Sequence, residues 1–143
     1  TMIPPQRGQV FYNCYIDREV PTANILKLDT KELIVREYKT KRLYGTKSIK
    51  LPQELVDVLT VWKPKCINNI LLPNNKFKPM DTSTFTSFMY SIFKQNISTD
   101  MLRKIYVSYR IKKGITMEER KVLAEEMGHS VLVQEFNYVK KFE

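Results

Sequence analysis

The single histidine of the 143-residue chain, His129, stands nine residues before Tyr138 in the string Met127-Gly128-His129-Ser130, and Arg103 lies in a helical pattern upstream. Side chains of these types suit the handling of an anion. A guanidinium offers a fork of donors to an oxyanion, an imidazole offers one more, and a phenol becomes a nucleophile on losing a proton whose unperturbed pKa is about 10. The spacing is useful only if the chain bends. Nine residues of unbroken α-helix turn through about 900°, which would leave His129 and Tyr138 on opposite sides. Gly128 suits the position just past a helix and Ser130 suits the N-cap of the next. His129 then falls in a turn and Tyr138 on the following helix, so that the two can converge. Taken alone, the pair also fits an ordinary helix–glycine–helix corner with a surface histidine and a half-buried tyrosine.

The longer string narrows the choice. Leu102-Arg103-Lys104, then Leu123 through Ser130, then Tyr138 resemble the second conserved box of the tyrosine recombinases. That box has an arginine early in a helix, a Leu-Gly-His-Ser-like turn and a tyrosine nine residues after the histidine. Pro4-Pro5-Gln6-Arg7 is similar to the Pro-Pro-x-Arg segment that carries the first catalytic arginine in a branch of the family found in viruses and mobile elements. Glu37 to Lys41, continued by Tyr44-Gly45, resembles that branch's β-hairpin, whose Lys-Thr pair carries the catalytic lysine. The resemblance runs from Pro4 to Tyr138, with residues 64–81 uninformative.

The resemblance implies a site-specific DNA recombinase or integrase catalytic domain with Arg7, Lys39, Arg103, His129 and Tyr138 as its catalytic set. Lys41 is the alternative lysine if the hairpin register differs. Arg7 and Arg103 would grip the non-bridging oxygens of a scissile phosphate, with His129 as a further donor. Tyr138 would attack, and Lys39 would protonate the departing deoxyribose 5′-oxygen. A 3′-phosphotyrosyl link would hold the bond energy for strand exchange and rejoining. This chemistry needs no metal and no cofactor. The implied partner is double-stranded DNA, contacted through its phosphates by Lys41, Arg42, Lys47 and Lys104. Self-association as a dimer or tetramer on DNA is implied for the full-length protein. The expected location is inside the cell, wherever the target DNA is (nucleus, cytoplasm or viral factory).

Two departures from the family pattern bear on activity. Most members carry a histidine three residues before the second arginine, where this chain has Asp100. A carboxylate cannot donate to a phosphate unless protonated, so Asp100 either alters the site or caps the helix that holds Arg103. Family catalytic domains also have helices before the first arginine and a separate N-terminal DNA-clamping domain. The chain therefore reads as one catalytic domain, residues 1–143, truncated at its N-terminus. A type IB topoisomerase, or a non-catalytic DNA-binding module descended from a recombinase, are the competing readings.

Composition agrees with a nucleic-acid partner. The chain carries 24 Lys and Arg against 15 Asp and Glu, a formal charge of +9, which favours polyanions. Cys14 and Cys66 lack metal-ligand spacing, so with one histidine a zinc site is not expected, and two unpaired thiols are. No apolar run reaches 18 residues, and no signal peptide is visible, so neither a membrane span nor secretion is expected.

These residues need a scaffold, and the patterning predicts a mainly α, α+β fold: a small antiparallel sheet with a basic hairpin, followed by a helical body. Strands are predicted at 9–16, 23–28, 32–38 and 46–51, the last with Lys47, Ile49 and Leu51 on one face. Residues 39–45 form the basic hairpin tip. Helices are predicted around Leu55, Val58, Leu59 and Trp62, around Phe85, Phe88, Met89 and Ile92, and around Leu102, Ile105, Tyr106 and Tyr109, each set at helical spacing. Thr116 and Glu119 make a capping-box pattern for a helix ending near Met127. A last helix is expected over 130–140, with Leu132, Phe136 and Val139 inward. Residues 64–79 read as a long exposed connection.

Overall fold

The protein, a computed structural model, is described for residues 2–134; Tyr138, Phe136 and Val139 lie outside the described residues. Four strands form one sheet in sequence order: β1 (Cys14–Ile16), β2 (Asn24–Lys27), β3 (Glu32–Val35) and β4 (Lys47–Lys50). The pairs β2·β3 and β3·β4 are antiparallel, with Leu26 opposite Leu33 and Leu33 opposite Ile49. The first pair differs from the expected all-antiparallel sheet. β1 runs parallel to β2, with Cys14 opposite Asn24.

The segment just upstream also departs from the expected strand. Residues 9–13, expected as strand, instead belong to a short helix, α1 (Gly8–Tyr12), and to the Asn13 corner that ends it. α1 packs on a later helix, α4 (Thr82–Phe93), so closely that a Cβ on Gly8 would lie 2.7 Å from the Phe85 ring. Tertiary packing thus overrides the local β-propensity of Val10, Phe11 and Tyr12. Asn24, buried, fixes the junction. Its amide donates to the carbonyls of Val10 (3.3 Å) and Glu37 (3.0 Å), and its oxygen accepts from the N–H groups of Arg36 (2.9 Å) and Glu37 (2.8 Å).

One face of the sheet meets α3 (Gln53–Trp62) across a core that includes Val10, Cys14, Ile16, Leu26, Leu33, Val35, Ile49, Leu51, Val56 and Leu59. Burial pushes the Cys14 thiol up to about 12, so it behaves as a small apolar group. The inward face of α3 is rotated from the expected one, because Val56 and Leu59 are buried while Val58 is 58% exposed. The connection after α3 is not a plain exposed loop. Ile70 bridges to Tyr15 and is buried with Leu71, closing the open edge at β1.

The helical body continues with α5 (Thr99–Lys112), α6 (Met117–Glu126) and α7 (Val131–Val133). Val107, Leu123 and Met127 form its small core, with Tyr106, Ile111, Ile115 and Val133 packed around them. The inward stripe of α5 passes through Arg103 and Val107 and not through Ile105 and Tyr109, each 55% exposed. Among the described residues no helix is long and apolar enough to cross a membrane.

Candidate active site

The site grows from the end of α6. The capping box forms as the sequence predicts: the Thr116 hydroxyl accepts from the Glu119 N–H (3.2 Å), and the Glu119 carboxylate accepts from the Thr116 N–H (2.7 Å). The helix stops because Gly128 adopts φ +69, the left-handed region that favours glycine. The Gly128 and His129 N–H groups then close back on the carbonyls of Glu125 (2.9 Å) and Ala124 (2.9 Å). Ser130 caps α7, its hydroxyl accepting from the Val133 N–H (3.2 Å). His129 therefore sits in the break between two helices.

The last carbonyls of a helix lack intrahelical partners and carry the negative end of its dipole. Here the carbonyls of Glu126, at the helix end, and of Met127 and Gly128, just past it, accept side-chain donors from four other parts of the chain. The Glu126 carbonyl accepts from Gln6 Nε2 (2.9 Å) and Lys47 Nζ (2.6 Å). The Met127 carbonyl accepts from Arg103 Nη2 (2.9 Å). The Gly128 carbonyl accepts from the Thr40 hydroxyl (2.7 Å). Each donor is a residue of the sequence-derived set or a close chain neighbour of one. Gln6 precedes Arg7, Thr40 follows Lys39, and Arg103 is itself a member.

Arg103 and His129 are buried and in contact, with Arg103 Nη2 2.9 Å from His129 Nδ1. Guanidinium nitrogens only donate, so Nδ1 is the acceptor and Nε2 carries the imidazole proton. Burial, then the charges of Arg103, Arg7 and Lys47, push the His129 pKa down to about 4. Near neutrality the imidazole is thus a neutral donor at Nε2. Arg7, at the N-cap of α1, is half-buried, and its charge is felt by both His129 and Lys47. A cluster of cationic side chains with a single neutral imidazole suits an oxyanion.

The basic hairpin carries its lysines differently from one another. Tyr38 is buried, and its hydroxyl donates to the Gly45 carbonyl (2.7 Å), tying off residues 38–45. Within that loop 41–44 form one helical turn, α2 (Lys41–Tyr44). Lys39 is exposed, between two residues that both touch the Gly128 turn. Lys41 is paired with Glu37 (2.7 Å). Arg42 is exposed. Lys47, expected to contact DNA, is turned inward, and its ammonium is engaged by Gln6 Oε1 (3.0 Å) and the Glu126 carbonyl. Lys104 pairs with Asp100 (3.4 Å) on the surface of α5. Asp100 is not the cap of that helix. Ser98 is, accepting from the Met101 N–H (3.1 Å), and Asp100 lies in the first turn, where a carboxylate favours the helix dipole.

Gln6 and Thr40 carry no catalytic signal of their own in the sequence. Their one clue is adjacency to Arg7 and Lys39. For Lys47 the clue is stronger, since it shares a β4 face with Ile49 and Leu51, both buried.

No family model matches the sequence, and no curated protein matches it. Solved structures do. The chain shares its fold with XerA recombinase. The likeness has a TM-score of 0.71 at 16% sequence identity and covers 98% of this chain and 49% of the XerA recombinase chain. The chain thus spans about half the length of XerA recombinase. The α+β, mainly helical architecture expected from the patterning is the one observed.

Proposed function

We propose that this chain is the catalytic part of a tyrosine recombinase that cuts and rejoins DNA. The observation that carries the reading is the Glu126–His129 turn. Arg103 meets His129 there, Arg7 lies within electrostatic reach, and the segment bearing Lys39 is fastened to the same turn. The fold shared with XerA recombinase supports the same reading.

In this reading a scissile phosphate lies against Arg7, Arg103 and the Nε2–H of His129, which stabilise charge on its non-bridging oxygens. The Tyr138 oxygen attacks phosphorus as its phenolic proton passes to solvent. The bond to the 5′-oxygen breaks as Lys39 supplies a proton to it, leaving a 3′-phosphotyrosyl link and a 5′-hydroxyl. Reversal by a 5′-hydroxyl from the same or another duplex rejoins the strand, and the other duplex makes it recombination. Lys39, Arg42 and Lys104 supply positive charge along the DNA backbone. A longer protein assembled as a dimer or tetramer on DNA, inside the cell, would supply the remaining grip.

The test is a nicked suicide duplex that loses its 5′-hydroxyl fragment on cleavage. The expected result is a denaturant-resistant protein–DNA adduct that Tyr138→Phe abolishes. DNA binding with no adduct across substrates would overturn catalysis and leave a DNA-binding module. Relaxation of supercoils by a monomer without strand exchange would assign the same chemistry to a topoisomerase.

A further inference from the structure

Lys47 is the one basic side chain of the sequence-derived DNA-contact set that points into the protein. Its ammonium donates to Gln6 Oε1 at 3.0 Å and to the Glu126 carbonyl at 2.6 Å, and it lies 4.8 Å from the centre of the Tyr38 ring. Gln6 closes the triangle, because its Nε2 donates to the same Glu126 carbonyl at 2.9 Å. Gln6 is 1% exposed, and its neighbour in sequence is Arg7. Three residues past Glu126 is His129. The contacts thus join strand β4, the segment before α1 and the end of α6 at one point.

We propose that Lys47 is a positioning residue: its ammonium clips Gln6 to the end of α6 and thereby fixes the segment of Arg7 relative to the turn that carries His129. The inference rests on the strand-cleavage reading above. Its chemistry is that of a charge-assisted clamp. The ammonium binds both the Gln6 amide oxygen and the Glu126 carbonyl and so reinforces the direct Gln6–Glu126 hydrogen bond, which glutamine or serine could not do with the same strength. The site around it is otherwise hostile to a cation. Burial first, then the charges of Arg103 and Arg7, push the Lys47 pKa down to about 8, while Glu126 and Glu125 oppose that shift. A lysine held there against repulsion by the two arginines is placed to fix the elements that carry Arg7 and His129, and it does so without touching the reacting atoms. Displacement of a catalytic group by about 1 Å costs on the order of 10²-fold in rate.

The experiment compares wild type with Lys47→Met and Gln6→Ala, using the full chain. The measurements are single-turnover adduct formation on saturating suicide duplex, duplex Kd with its salt dependence, and backbone amide exchange by mass spectrometry. Lys47→Met is expected to slow adduct formation about 10²-fold, with Kd within about twofold and the salt slope unchanged. Exchange at Met127, Gly128 and His129 should accelerate, with other segments unaffected. Gln6→Ala should reproduce both effects in weaker form, and the double variant should be no slower than Lys47→Met alone. A salt slope reduced by about one with an unchanged saturated rate would make Lys47 a phosphate contact and overturn the proposal. So would unchanged exchange at the turn, or acceleration spread over the whole chain. If wild type forms no adduct, cleavage fails as the function, and the exchange pattern alone still decides whether the clip exists. If Lys47→Met does not fold, Gln6→Ala is judged by the same criteria.

Discussion

Arg103 reaches back from α5 so that one nitrogen, Nη2, lies 2.9 Å from both the Met127 carbonyl and His129 Nδ1. A single donor group therefore sets the position of the turn and the tautomer of the imidazole. The buried arginine that would grip a phosphate is also the device that aims the neighbouring donor.

Arg103→Lys keeps the charge and loses the planar fork. A lysine there cannot serve two acceptors in the geometry of a guanidinium. The expected outcome is a fall of about 10²-fold or more in the adduct rate on the suicide duplex. A loss of about 2–4 kcal/mol in stability should accompany it, read by urea unfolding. A variant cleaving at the wild-type rate would remove Arg103 from the site.

His129 makes acid stability a reporter of burial. Its pKa is about 6.5 in the unfolded chain and about 4 in the folded one. Between those values the unfolded chain binds a proton that the folded chain does not. The stability this group contributes is therefore whole above pH 6.5 and is lost as pH falls towards 4, at about 1.4 kcal/mol per pH unit. Urea unfolding of wild type and His129→Gln at several pH values checks it. The glutamine variant should show a shallower decline over that interval, and equal slopes would mean that the imidazole titrates normally.

Gly128→Ala should destabilise through two routes. The residue is held at φ +69, and a Cβ would sit 3.2 Å from both Lys47 Nζ and Tyr38 Cε2. The expected cost is about 1–3 kcal/mol, measured by chemical denaturation. Gly128→Asn should be better tolerated in backbone terms, but it still meets the same crowded neighbours.

Thr40→Val removes the hydroxyl that fastens the hairpin to the Gly128 carbonyl (2.7 Å) and keeps its shape. About 1 kcal/mol of stability should be lost. The adduct rate should fall further than that loss explains, because Lys39 is no longer held beside the turn. Restoration by Thr40→Ser, with cleavage as the readout, would separate the hydroxyl's role from packing.

Much of this was legible from local chemistry. The Thr116 capping box, the break at Gly128 and the Ser130 cap depend on residues a few positions apart, and each appears as the sequence predicts. What did not read out was set by distant partners. Val10 and Tyr12 look like strand residues, yet they lie in a helix whose Gly8 and Tyr12 pack on the ring of Phe85. Ile70 and Leu71 sit in an asparagine-rich stretch, yet Tyr15 recruits that stretch to the edge of the sheet. On α5, counting apolar residues puts Ile105 and Tyr109 inside, but Arg103 takes the inner position because Met127 and His129 supply acceptors for it there. Apolar periodicity assumes that charge stays outside. It fails where a buried cation has its own partners.

The donors that meet at carbonyls 126 to 128 come from far along the chain: Gln6 is 120 positions from Glu126, Thr40 is 88 from Gly128, and Lys47 is 79 from Glu126. A polypeptide still emerging from the ribosome holds Arg7, Lys39 and Arg103 with nothing yet to gather them. The Arg103–His129 cluster can therefore form only after the chain has been made past residue 129.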